Sequence, residues 1–221
     1  MPSDFAVIFD MDGVIFDTET IALQCWSRAA ESLSLPDIRP VFPLCIGANI
    51  RRTEEILMEH FGPDFPYAAF AKQSRANYIA HYETKGLPVK PGAREILAFL
   101  RDAGVPMAIA SSTVSSVVRQ ELEDAGLLPF FQAVIGGDMA ARSKPAPDIF
   151  LSAGKALSFS PEQCFVVEDS YNGIRAAHAA AMHPLMVPDM LPPTEEIRGL
   201  AEHIFPSLFE AKAFFEQLPV S

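Results

Sequence analysis

Two aspartates, Asp10 and Asp12, stand in the stretch FAVIFDMDGVIFDTET (residues 5–20), where an apolar run ends and only a methionine separates the two acids. Like charges this close repel unless a proton or a cation sits between them. Taken alone, the pair reads as a turn, since Asp and Gly both reverse a chain readily. Other polar groups follow three further apolar runs. Ser111, Ser112 and Thr113 come after PMAIA (106–110), Lys144 lies in RSKPAPD after AVIGG (133–137), and Glu168 and Asp169 come after CFVV (164–167). Each has an ordinary reading by itself, as a helix-capping hydroxyl or carboxylate or a solvated lysine. Four such coincidences at four successive run ends point instead to one site.

Carboxylates, hydroxyls and one ammonium define a recognisable chemistry. Oxygen-only ligands favour a hard cation, and an open carboxylate site beside phosphate oxygens suits magnesium. The histidines at 60, 81, 178, 183 and 203 show no metal-ligand spacing, which disfavours zinc. With a cation present, Asp10 can attack phosphorus and form an aspartyl phosphate. Asp12 can protonate the departing alkoxide and later take a proton from water. Ser111 and Lys144 would hold the phosphoryl oxygens, and Gly13 lets the backbone turn sharply out of the strand.

The elements that must position these groups alternate. The runs at 5–9, 106–110, 133–137, 164–167 and 184–188 are continuous and apolar, as parallel strands covered on both faces should be. Helical patterns fill the intervals: AREILAFLRDAG, SSVVRQELEDAG, PDIFLSAGKALS and GIRAAHAAA, the first two ending on Gly104 and Gly126. Alternation of this kind predicts an α/β sheet with right-handed crossovers. In such sheets ligands bind beyond the carboxyl ends of the strands, where the polar groups above are found.

Residues 18–87 break the rhythm with three amphipathic helical patterns and proline-rich turns at Pro36, Pro40, Pro43, Pro63 and Pro66. They read as an inserted helical unit, a lid entering just after the first strand, which leaves 1–17 and 88–221 as the core. Charge divides unevenly. The formal net charge is −11, but residues 18–88 carry 7 Lys and Arg against 8 Asp and Glu, so almost all of the excess lies in the core. Among the bases of the insertion, Arg51 and Arg52 are candidates for substrate binding, although a surface arginine is more often simply solvated.

Composition narrows the class. A pI near 4.8 argues against nucleic acid and anionic membranes as partners. Three scattered cysteines without CxxC spacing suit a reducing compartment. The opening MPSDFAVIFDMD lacks the basic start and apolar core of an export signal. A cytoplasmic protein is expected, with the oligomeric state open and a monomer sufficient.

In this order and spacing, DMDGVIFDT, IASST, SKPAPD and VVEDS resemble the four motifs of the haloacid dehalogenase superfamily, in its phosphatase and beta-phosphoglucomutase-like branch with a helical cap. The resemblance covers the whole chain, including GLPVKPGAREIL and GGDMAARSKPAPDIF. It implies a Rossmann-like three-layer sandwich with a mainly parallel sheet and an inserted all-helical cap. It also implies Asp10 as nucleophile, Asp12 as general acid/base, Ser111, with Ser112 beside it, as phosphate binder, and Lys144 as the charge-balancing lysine. Asp169 would hold magnesium together with Asp10 and the backbone carbonyl of Asp12, with Glu168 as an additional ligand. The substrate class implied is a small phosphorylated metabolite, a sugar phosphate foremost.

Departures from the mutase pattern favour hydrolysis. Ala22 stands where the phosphoglucomutases carry a histidine, Ser74 where they carry a cap lysine, and Gly47 with Arg51 or Arg52 matches their cap glycine and arginine only approximately. Asp12 argues against dehalogenation, since dehalogenases lack the second aspartate. A phosphomutase and a phospho-aspartate interaction protein without turnover are the competing readings.

Overall fold

The structure, a computed structural model, describes residues 3–48 and 50–218. Met1 and Pro2, at the head of the stretch read for an export signal, lie outside them. Along the chain, β1 (Ala6–Phe9) is followed by α1 (Thr18–Ser32), α2 (Phe42–Cys45), α3 (Ile50–Phe61) and α4 (Tyr67–Lys85). Strand and helix then alternate: α5 (Ala93–Asp102), β2 (Met107–Ala110), α6 (Ser115–Asp124), β3 (Ala133–Ile135), α7 (Asp148–Leu157), β4 (Cys164–Glu168), α8 (Tyr171–Ala179) and β5 (His183–Met186). The chain closes with α9 (Glu195–Leu200), β6 (His203–Ile204) and α10 (Leu208–Phe215). It divides into two compact units, one of residues 1–16 and 89–221 and one of residues 17–88.

The first unit is a Rossmann-like α/β fold. Its six strands are all parallel in the order β3-β2-β1-β4-β5-β6, so β1 lies at the centre. Alternate residues bury opposite faces. Ala6 and Ile8, Ala108 and Ala110, and Cys164 and Val166 pack under Phe150, Ala153 and Leu157 of α7 and Ala176 and Ala177 of α8. On the other face α5 packs against α10, and the Phe215 ring stacks on Phe5 and meets Phe165 edge-on. A fully buried Ile or Phe is worth roughly 1.5–3 kcal/mol over an exposed one. The core thus fixes the sheet, and the strand ends can carry polar residues.

Helix termini follow from local chemistry. Gly104 and Gly126 adopt left-handed φ of 74° and 68° just past α5 and α6, a conformation costly for any residue with a Cβ. Ser170 caps α8 by accepting from the Gly173 amide. Ser111 and Ser112 do not cap α6, which begins after Val114 without a side-chain cap.

Two elements differ from expectation. The AVIGG run stops as a strand at Ile135, because the glycines turn away against the neighbouring loop: a Cβ on Gly137 would come within 2.3 Å of the Ser112 carbonyl oxygen. The sixth strand, β6, pairs with β5 through only two residues and carries no apolar run to reveal it.

Among its described residues the second unit has helices as its only regular elements. Trp26 of α1 meets Phe42 and Phe70 edge-on at 5.0 and 5.4 Å between ring centroids, and Phe65 packs on Phe61 and Phe70. Asn77 of α4 donates to the Cys25 carbonyl, tying α4 to α1. The short α2 has a proline in its first turn and escapes an amphipathic pattern by its length. Among the described residues no helix is long and apolar enough to cross a membrane.

Candidate active site

Register brings the motif residues to one edge of the sheet. Phe9 lies level with Ile109 on one side and Val167 on the other, so Asp10, just past β1, comes level with Ala110 and Glu168, the last residues of β2 and β4. The Asp10 amide donates to the Val167 carbonyl at 2.9 Å, continuing the ladder by one step. Lys144 arrives from the loop before α7, a helix that lies against β1, β2 and β3 as the chain crosses from β3 to β4.

The Lys144 ammonium has three protons and three acceptors. It donates to Asp10 Oδ1 at 2.5 Å, to Glu168 Oε1 at 2.6 Å and to the Ala110 carbonyl at 3.2 Å. The Phe150 ring lies 4.8 Å from Nζ, adding a cation–π contact. Lys144, Asp10 and Glu168 are all buried. Burial alone would depress the ammonium, but the Asp10 and Glu168 carboxylates outweigh it and hold the Lys144 pKa above its ordinary value. Burial pushes the Asp10 carboxyl well above the usual carboxylate range, Lys144 opposes that shift, and the Glu168 and Asp12 charges add to it.

Glu168 is held from every side. Its Oε2 accepts from the Asp169 and Ser170 amides, each at 2.9 Å, and from the Ser170 hydroxyl at 3.0 Å, at the positive end of α8. The carboxylate lies against Gly173, where a Cβ would come within 1.8 Å of it. The expectation of Glu168 as an additional metal ligand meets this geometry: both oxygens already serve Lys144 and the start of α8.

Asp12 has different surroundings. Its Oδ2 accepts from the Ser111 hydroxyl at 3.1 Å and the Thr113 hydroxyl at 3.2 Å, while Ser111 Oγ accepts from the Thr113 amide. Gly13 follows in the left-handed region, φ 76°, and a Cβ there would lie 2.3 Å from Asp169 Oδ2. Only glycine allows both the turn and that approach.

Asp10, Glu168 and Asp169 can each present an oxygen within 4.8 Å of the others. Of these, Glu168 is committed to Lys144 and the start of α8, and the buried carboxylate oxygens of Asp10 and Asp169 suit a hard divalent cation. The Asp12 carboxylate faces the hydroxyls instead.

The structure thus gathers Asp10, Asp12, Ser111, Lys144, Glu168 and Asp169. Ser112 is exposed. Arg51 and Arg52 lie on α3 in the helical unit, where Arg51 pairs with Glu55 and Arg52 with Glu55 and Glu59. Sequence reasoning gave no role to Thr113, Gly173 or Phe150. Thr113 stands among the hydroxyls after PMAIA without a task of its own; Gly173 and Phe150 lie on helices, where nothing local marks them.

Residues 7–187 match the family of haloacid dehalogenase-like hydrolases, and the chain belongs to that family. The phosphorylated carbohydrates phosphatase of Thermotoga maritima is 34% identical over 184 residues, 80% of this chain and 82% of that one. The beta-phosphoglucomutase of Bacillus subtilis is 29% identical over 183 residues, 80% of each chain. Among solved structures, a HAD family hydrolase from Deinococcus radiodurans with bound phosphate and sodium superposes with a TM-score of 0.78 at 29% identity, covering 98% of this chain and 96% of that one.

Proposed function

We propose that this enzyme is a magnesium-dependent phosphatase of small phosphorylated metabolites, sugar phosphates foremost, acting through an aspartyl phosphate on Asp10. The observation that carries the reading is the unlike setting of two aspartates with one residue between them. Asp10 is buried on an ammonium, and Asp12 is clasped by two hydroxyls. The phosphatase relative acting on phosphorylated carbohydrates supports the substrate class.

In the proposed cycle an Asp10 oxygen attacks phosphorus, the bond from phosphorus to the ester oxygen breaks, and Asp12 gives its proton to the departing alkoxide. Asp12 then takes a proton from water, whose oxygen attacks phosphorus and releases Asp10 and inorganic phosphate. Ser111 has one hydroxyl proton, so binding a phosphoryl oxygen means turning away from Asp12 and leaving Thr113 to hold that carboxylate. Lys144 would exchange the Ala110 carbonyl, its longest contact, for a phosphoryl oxygen. Asp10, Asp169 and the Asp12 carbonyl would hold magnesium, which when bound supplies positive charge to the phosphoryl oxygens. Glu168 would keep Lys144 in place.

The test is phosphate release from a panel of metabolite esters with magnesium, with EDTA, and with the Asp10→Asn variant. Release that requires magnesium and disappears in the variant is expected. Slow release on every ester, or release untouched by Asp10→Asn, contradicts the reading. Exchange between phosphosugar isomers without net phosphate would make the acceptor a sugar hydroxyl instead of water.

A further inference from the structure

We propose that the Lys90–Asp189 ion pair is a positioning device that fixes the turn carrying Asp12; this rests on the functional reading above. The turn closes on itself, with the Gly13 amide donating to the Phe16 carbonyl and the Ile15 and Phe16 amides donating to the Met11 carbonyl. It is then fastened to one short segment. Phe16 pairs antiparallel with Val89, and the Lys90 amide donates to the Ile15 carbonyl at 2.9 Å. Residues 89–90 are therefore one of the turn's supports, beside the burial of Met11, Val14, Ile15 and Phe16.

Lys90 sets that segment. Its Nζ donates to Asp189 Oδ1 at 2.5 Å, with the two side chains 21% and 12% exposed. Asp189 follows β5, where the Val187 amide donates to the Glu168 carbonyl at 2.8 Å. The pair thus braces the Asp12 turn against the strand end that carries Glu168 and, through it, Lys144.

The pair is poorly built for stability. Both groups are largely desolvated, and Asp189 Oδ2 is buried without a hydrogen-bond partner among the described residues. Partly buried pairs of this kind gain little over apolar replacements of similar volume. What the pair supplies is direction and distance, because an ion pair between two loops fixes their separation where an apolar contact would let it slide. A displacement of about 1 Å at a reacting group costs up to ~100-fold in rate. The Lys90 side chain donates to Asp189 and its amide to the backbone of the turn, so the pair acts through the turn that carries Asp12.

The experiment compares wild type with Lys90→Met/Asp189→Leu, in which no charge is stranded, with the near-isosteric Asp189→Asn, and with Lys90→Arg. The expected result is kcat lowered about ten-fold or more in the first two with KM nearly unchanged. Melting temperature should hold in the double variant, and Lys90→Arg should keep most of the activity. Wild-type kcat in a folded double variant overturns the proposal. So does a loss of activity that only follows a loss of stability. The amide NMR signals of Gly13 and Ile15 give a readout independent of turnover. They should shift in the double variant, and unmoved signals overturn the proposal. If wild type itself hydrolyses no ester, the functional reading fails, and the NMR arm still decides the positioning role.

Discussion

The two halves of the carboxylate edge, one around Asp10 and one around Asp12, are built on opposite principles. Around Asp10 the setting is buried and dominated by charge: one ammonium, which also holds a second carboxylate and rests on an aromatic ring. Around Asp12 the partners are neutral hydroxyls on a short loop. A buried carboxylate on a fixed ammonium is held in one position, which suits an attacking atom. A carboxylate held by rotatable hydroxyls can trade partners, which suits a group that must give up and regain a proton. Two residues of one type, two positions apart, thus receive different chemistry from their surroundings, a division by environment known from other paired carboxylates.

Breaking the charged half should cost most. Lys144→Met leaves Asp10 and Glu168 facing each other without a cation, and removing one partner of a buried pair costs about 3–5 kcal/mol. Denaturant unfolding should show that loss, with phosphate release falling below detection. Added magnesium should restore part of the stability by binding the folded form, as mass action requires.

The same half can be disturbed without touching a charge. Gly173→Ala should stabilise an ordinary helix by about 1 kcal/mol. Here the new methyl would occupy the place of the Glu168 carboxylate, so the sign should reverse, with a loss of roughly 2 kcal/mol by the general cost of overpacking. A stabilised Gly173→Ala protein would mean that Glu168 is not held as described.

The hydroxyl half should be more forgiving. Thr113→Val removes one of the two hydroxyls that donate to the Asp12 carboxylate and keeps the shape, with Ser111 still in place, so unfolding should change by about 1.5 kcal/mol, the low end for a hydrogen bond to a charged group. If Thr113→Val proved as damaging as Lys144→Met, the contrast between the halves would collapse.

A smaller effect belongs at the far end of the sheet. The His183 ring nitrogens meet Glu202 Oε2 and the Glu162 carbonyl. Burial would lower the His183 pKa, but the hydrogen bonds to Glu202 and the Glu162 carbonyl outweigh it and raise the value above 6.5. A raised folded value means that this stabilisation is complete below about pH 6.5 and is lost as the pH rises through the folded pKa. Glu202→Gln should flatten that slope in thermal melts by a few tenths of a kcal/mol, the scale of an exposed pair, while leaving the site alone.

How much of this was legible in the sequence depends on what each residue needed from afar. Asp10, Asp12, Ser111, Lys144 and Asp169 stand out because each follows an apolar run or sits in a proline-bounded loop, both local signals. That β1 lies between β2 and β4 is not local, and only this order turns a set of strand ends into one cluster. The partners of Glu168 were hidden for the same reason: a lysine 24 positions away and a glycine on the next helix claim its carboxylate. Strand β6 escaped because two residues cannot carry a period, and α2 because it is a single turn with a proline as its second residue.

The central claim is that Asp10 becomes phosphorylated while Asp12 moves protons. The most direct measurement is an acid quench of the Asp12→Ala variant turning over an ester with a good leaving group, followed by mass spectrometry of the peptide spanning Phe5–Thr20. Such a leaving group needs no general acid, so the first step survives while water attack, lacking its base, is slowed by about 100-fold or more. The account predicts one phosphoryl group on Asp10, absent when Asp10→Asn is added. An unmodified peptide during continuing phosphate release, or phosphate on any other residue, would contradict it.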